Sequence, residues 1–135
     1  MSKKIVRAAL ESALNTWATA NSLTVAWENV AFTPPAGAYI RAFIIPSPTT
    51  SESLERADRR YSGLLQVDLM MPINGGSGPA ETLLESLSAA FNPANVLTRS
   101  GVRINILQPA SDAAAIPEEN RHVIPVTVPY EATVY

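Results

Sequence analysis

The chain has no cysteine and a single histidine, His122. Without cysteine there is no disulfide framework, no thiolate nucleophile and no thiolate-ligated metal. A metal site would have to be built almost wholly from carboxylates. Charge is sparse as well: charged residues make up 16% of the chain, against roughly 25% in ordinary globular domains. Ten Lys and Arg face twelve Asp and Glu, a formal net charge of −2, so there is no basic excess to grip a phosphate backbone. No apolar stretch approaches the ~20 residues that a membrane-crossing helix needs. Met1-Ser2-Lys3-Lys4-Ile5-Val6 opens like a secretory leader, but Arg7, Glu11 and Asn15 interrupt what would be its apolar core. The expectation is a soluble chain kept in a reducing compartment, with no membrane partner. Glycine is scarce beside proline, 6 against 11, which favours rigid loops and strand ends over flexible linkers.

What is present is apolar matter for a core. Hydrophobic residues form 47% of 135 residues, enough for a single domain spanning 1–135 and too much for a disordered chain. Val6, Leu10, Ala13, Leu14 and Trp17 recur at helical spacing, with Ile5, Ala9 and Ala18 widening the stripe, which predicts a helix over Lys3–Ala20. Lys3 and Lys4 sit against the dipole of that helix. Strands are predicted at Leu23–Trp27, Ala38–Ile45, Arg60–Met71, Gly101–Leu107 and His122–Tyr135. A second helix is predicted over Pro79–Phe91, with Leu83, Leu84, Leu87 and Phe91 as its stripe and Pro79 and Glu81 suited to its first turn. Ala38–Ile45 and Arg60–Met71 read as a hairpin whose tip is the polar segment 47–60. A second long loop is expected over 108–120. Pro125 and Pro129 cannot donate to a ladder, which predicts that the last strand lies at an edge or is bent. Hairpins outnumber crossovers. The expected fold is therefore α+β: two helices on one face of a mixed, mostly antiparallel sheet of about five strands, with a protruding hairpin.

Residues that carry chemistry are few. Gly75-Gly76-Ser77-Gly78 lies between a strand and a helix, where phosphate loops occur. It lacks the Lys and Ser/Thr that meet phosphate and metal, and Glu81 would repel an anion, so a tight turn is the better reading. No serine stands in a Gly-x-Ser-x-Gly elbow beside His122, which reads as an edge-strand histidine. Asp68 points from the less apolar face of its strand and is expected to pair with Arg41 or Arg103 rather than to catalyse. Trp17, Trp27, Phe32 and Phe91 are assigned to the core. No catalytic residue, cofactor or metal is assigned. The mixed-charge run Glu52, Glu55, Arg56, Asp58, Arg59 and Arg60 reads either as a solvated loop or as a contact with a neighbouring subunit, head to tail.

One resemblance spans nearly the whole chain, most firmly residues 1–91. Trp27-Glu28-Asn29-Val30-Ala31-Phe32-Thr33-Pro34-Pro35 followed by Tyr39-Ile40-Arg41, then Arg60-Tyr61-Ser62-Gly63-Leu64-Leu65-Gln66-Val67-Asp68, Pro72, the Gly75–Gly78 turn and a helix ending in Phe91, resembles the tail terminator proteins of long-tailed phages, the lambda-like minor tail protein group. The resemblance implies a non-enzymatic subunit of a hexameric ring, located in the virion at the head-proximal end of the tail and assembled in the bacterial cytoplasm. Its implied partners are other copies of itself, the tail tube protein and a head-completion or neck protein. DNA would only pass through the lumen. In that picture the mixed-charge run Glu52–Arg60 is expected to contribute to a subunit or tail-tube contact. A head–tail neck protein of similar fold, and a small enzyme or ligand-binding domain, remain as alternatives.

Overall fold

The computed structural model describes residues 2–47, 59–73, 78–94, 96–118 and 121–134. The first helix, α1, spans Ser2–Ala20. Its apolar stripe is buried as Val6, Ala9, Leu10, Leu14, Trp17 and Ala18. Its end is set locally. Ser22 adopts φ 57°, Leu23 N donates to Ala18 O at 2.8 Å and Ser22 N donates to Thr19 O at 3.2 Å. This left-handed cap satisfies the last helical carbonyls and turns the chain into a strand. The second helix, α2, spans Gly78–Ala90 and buries Ala80 and Leu87, followed by Phe91.

The strands are β1 (Thr24–Trp27), β2 (Tyr39–Pro46), β3 (Arg59–Pro72), β4 (Val96–Arg99), β5 (Val102–Ile106), β6 (Ser111–Asp112), β7 (Ile116–Glu118) and β8 (Arg121–Val134). They form one sheet in the order β1-β2-β3-β8-β5-β4, with β6 and β7 also paired to β8. Among the described residues, β1–β2 is the one parallel pair and the others are antiparallel. The α+β class and the mixed, mostly antiparallel sheet agree with the sequence reading, and so does the β2–β3 hairpin.

Three expectations are corrected. First, the sheet has eight strands rather than about five. The 108–120 loop contributes β6 and β7, and β4 precedes β5. A strand of two or three exposed residues carries no periodic pattern. The β4–β5 turn did carry a signal, because Ser100 and Gly101 adopt φ 51° and 81° between paired Arg99 and Val102, the backbone of a two-residue hairpin.

Second, the helices do not form an even layer on one face. The sheet curls around α1, which meets β1 at one end of the strand order and β4 and β5 at the other. Helix α2 packs against α1, and Trp17 Nε1 donates to Ser86 Oγ across that contact at 2.9 Å.

Third, β8 lies in the middle of the sheet, between β3 and β5, and His122 is therefore not on an edge strand. The two prolines are accommodated by orientation. Ala113 N donates to Pro125 O at 2.9 Å and Leu107 N donates to Pro129 O at 3.0 Å. A residue's carbonyl and nitrogen face the same side of an antiparallel strand. Both missing N–H groups thus face the flank where pairing passes from β7 to β6 to β5, and the β3 side keeps its ladder from Arg59↔Val134 to Pro72↔Arg121.

The core lies between α1, α2 and the helix-side face of the sheet. That face is formed by Ile40, Ala42 and Ile44 of β2, Leu65, Val67, Leu69 and Met71 of β3, Val102, Ile104 and Ile106 of β5, and Val126, Val128, Tyr130 and Ala132 of β8. Trp17 and Phe91 join it as expected, and Trp27 packs against it half-buried. Phe32 packs instead on the opposite face, in a small cluster with Tyr39, Met70 and Val123.

Candidate interaction surfaces

Glu52, Glu55, Arg56 and Asp58 lie outside the described residues. Arg59 and Arg60 open β3, where they pair in register with Val134 and Thr133 of β8. The root of the hairpin is defined closely. Pro46 faces Gly63, and Ser47 N donates to Ser62 O at 2.9 Å. A Cβ on Gly63 would fall 2.4 Å from Ile45 O, 3.0 Å from the Pro46 Cα and 3.0 Å from the Tyr130 hydroxyl. The strands approach there only because the residue is glycine. Burial pushes the Tyr130 hydroxyl above its ordinary pKa.

Next to this root, Arg7 of α1 bonds Glu28 and lies 3.4 Å from Glu11. Glu28 Oε1 also accepts from Ile44 N at 3.3 Å. This carboxylate continues the β1 side of β2 after β1 has ended at Trp27. The Arg7 guanidinium, helped by the Ile44 N–H, holds the Glu28 carboxyl below the ordinary carboxylate range, and Glu28 holds Arg7 above its own. Three elements are tied together at one carboxylate.

The face of the sheet turned away from the helices carries a polar network. Asp68 pairs with Arg41, as expected for one of its two candidate partners: Arg41 Nη2 donates to Asp68 Oδ2 at 3.1 Å and to Glu118 Oε2 at 3.3 Å. Gln66 Nε2 donates to Asp68 Oδ1 at 3.0 Å, and Thr127 Oγ1 donates to Gln66 Oε1 at 3.0 Å. Asp68 is the one buried charged side chain among the described residues, 7% exposed. These bonds cross four strands and satisfy it.

Beyond the network, the Arg121 guanidinium stacks 4.8 Å above the Tyr39 ring and donates to the carbonyls of Pro35 and Gly37. The Phe32 ring lies 5.1 Å from that of Tyr39. The proline-rich connection after β1 is thereby held on this face. The role of Arg121 was missed in the sequence, where nothing marks a lone Arg beside His122 as a partner for residues more than 80 positions upstream.

Among the described residues, no three of His, Asp and Glu gather to hold a metal ion. His122 lines a hollow of about 210 Å³ with Glu81, Leu84, Asp112 and Ile124, and the described residues lining it include no Ser, Thr or Lys. A wider groove of about 620 Å³ between the end of α1 and the start of α2 is lined chiefly by Leu23, Ala38, Met71, Pro79 and Leu83. Gly78 begins α2, whereas Gly75, Gly76 and Ser77 lie outside the described residues. No helix is long and apolar enough to cross a membrane among the described residues.

Comparison with known proteins gives a consistent picture. The family model described as "Phage tail terminator protein" matches residues 5–130. A solved structure superposes with a TM-score of 0.84 at 36% sequence identity, covering 100% of this chain and 98% of that one; its name states no function. No curated protein matches the sequence.

Proposed function

Because the chain belongs to the phage tail terminator family, we propose that it acts as a ring of identical subunits at the head-proximal end of the tail tube. There it ends tube growth and presents the surface that joins the head. The family match along residues 5–130 is the observation that carries this reading. It makes the chain a structural component of tail assembly and a part of the virion tail.

The physical character of the chain accords with the finer role. Its charge of −2 gives no general attraction for DNA passing through a lumen. Among the described residues its notable features are a hairpin, an ordered polar sheet face and the strands that end the sheet path, which are means of meeting other proteins. The partners in this reading are further copies of the chain, six in a closed ring, the tail tube protein below and a head-completion protein above. The run from Glu52 to Arg60 contributes to the subunit or tube contact.

Electron microscopy of particles made without this chain tests the role. Overlong tails are expected; tails of normal length without heads would assign it to the neck instead. Light scattering of the purified protein should show a species near six subunits that grows in with concentration. Replacing Arg56, Arg59 and Arg60 together by Ala should abolish it, and unaltered ring formation would remove that segment from the contact.

A further inference from the structure

Among the described residues, the strand path ends on the outer sides of β1 and β4, while the two- and three-residue strands β6 and β7 each pair with β8 alone. Strands β1 and β4 are each four residues long, Thr24–Trp27 and Val96–Arg99. Neither carries the Lys or Pro with which proteins commonly blunt an edge, and Val96 is 41% exposed. We infer that β4 of one copy pairs with β1 of the next, so that the sheet continues from subunit to subunit around the ring. The inference rests on the ring reading and supplies its contact.

Direction supports the pairing. From β2 to β4 the sheet makes four antiparallel steps, and β1 is parallel to β2. Strands β1 and β4 therefore run the same way. Rotation about a ring axis preserves each strand's sense along that axis, so where both edge strands run along it they meet as a parallel pair. A contact between different edges repeats head to tail and can close.

Register supports it as well. Leu97 faces Ile104, and Val25 and Trp27 face Ile40 and Ala42, so these three belong to the helix-side face. Thr98 faces Arg103, and Thr24 and Ala26 face Tyr39 and Arg41, on the opposite side. Setting Val96, Leu97, Thr98 and Arg99 beside Thr24, Val25, Ala26 and Trp27 keeps every residue on its own face. A slip by one would put Leu97 on the polar side. In this register the exposed Arg99 lies beside the indole of Trp27 and next to Glu28. The flanking charges are opposite, and the aromatic face suits a guanidinium.

The absence of native cysteine makes the test direct. The double variant Thr98→Cys with Ala26→Cys is oxidised with diamide at concentrations spanning the light-scattering transition and run without reductant. A ladder of covalent species up to the ring is expected, with most of the chain cross-linked. Val96→Cys with Thr24→Cys probes the same register at two exposed positions, away from the cluster that Ala26 touches. A ring of normal mass with no ladder in either variant overturns the pairing and leaves the ring standing. A dimer from Thr98→Cys alone would show β4 meeting β4 about a two-fold axis, which also overturns it. A chain that stays monomeric and uncross-linked overturns both the pairing and self-assembly.

Discussion

Gly63→Ala should loosen the hairpin that carries the mixed-charge segment. The added methyl would stand 2.4 Å from Ile45 O and 3.0 Å from the Pro46 Cα, both of them backbone, and 3.0 Å from the Tyr130 hydroxyl. A flexible side chain could swing away, but two backbone atoms of the paired strand cannot. Strands β2 and β3 must therefore move apart at the Pro46–Gly63 pair. Alanine in a strand would otherwise gain about 0.5–1 kcal/mol over glycine, whereas forcing a methyl into a packed site costs about 1–3 kcal/mol. Because the obstacle is backbone, the upper part of that range applies, for a net loss of about 1–2 kcal/mol. In a domain of this size that lowers Tm by roughly 3–10 °C. Circular dichroism melts at one scan rate measure it. Gly37→Ala is the control, since nothing lies within 4 Å of its added Cβ, and it should melt no lower than the parent. If Gly63→Ala also melts with the parent, the close approach at the hairpin root is not a constraint and the reasoning fails.

Three other perturbations have definite directions. The Glu28 carboxyl has a folded pKa below its ordinary value near 4.5, so its stabilisation is complete above about pH 4.5 and is lost as pH falls through the lower folded value. With both partners more than a third exposed, the amount is below about 1 kcal/mol; Glu28→Gln should flatten the acid limb of urea midpoints measured from pH 7 to pH 3. Asp68→Ala leaves the donors of Arg41 and Gln66 without their shared acceptor and should cost about 1–3 kcal/mol. The double change Arg41→Met with Asp68→Leu should recover more than half of that in urea titrations. Ser86→Ala removes the acceptor of the Trp17 indole and should cost about 1 kcal/mol, while Trp17→Ala should cost about 3–5 kcal/mol, both read by denaturant unfolding.

Where the apolar pattern was long, it specified local structure well. In α1, β3, β5 and β8 the helix-side face is the one that the periodicity marks, because the period is fixed by backbone geometry; the apolar residues on both sides of β2 mark no single face. For Asp68 the sequence leaves two candidate partners, Arg41 and Arg103, on polar sides of strands, and the strand order selects Arg41 by placing β2 beside β3. The errors share one cause, which is that position within a sheet depends on chain segments distant in sequence. Pro125 and Pro129 argue for an edge only if both flanks of a strand need every donor. In β8 they face the flank where short strands succeed one another, and a central strand tolerates them. Strands β6 and β7 are strands because β8 offers them a ladder, not because of their own residues.

The same distinction separates the two kinds of candidate surface. The run Glu52–Arg60 stood out because charge and length are properties of a segment, visible before any fold is known. The two sheet edges could not be found that way, since an edge is defined by which strand has no neighbour. Once the order is known, however, the edges constrain one another more tightly than a charged run can. Strand sense, face and register must agree at the same time. In the face-matched register Arg99 falls next to Trp27 and Glu28. The oxidised Thr98→Cys with Ala26→Cys variant therefore discriminates between readings, since a contact made only through residues 52–60 would close a ring while leaving positions 26 and 98 of neighbouring copies apart.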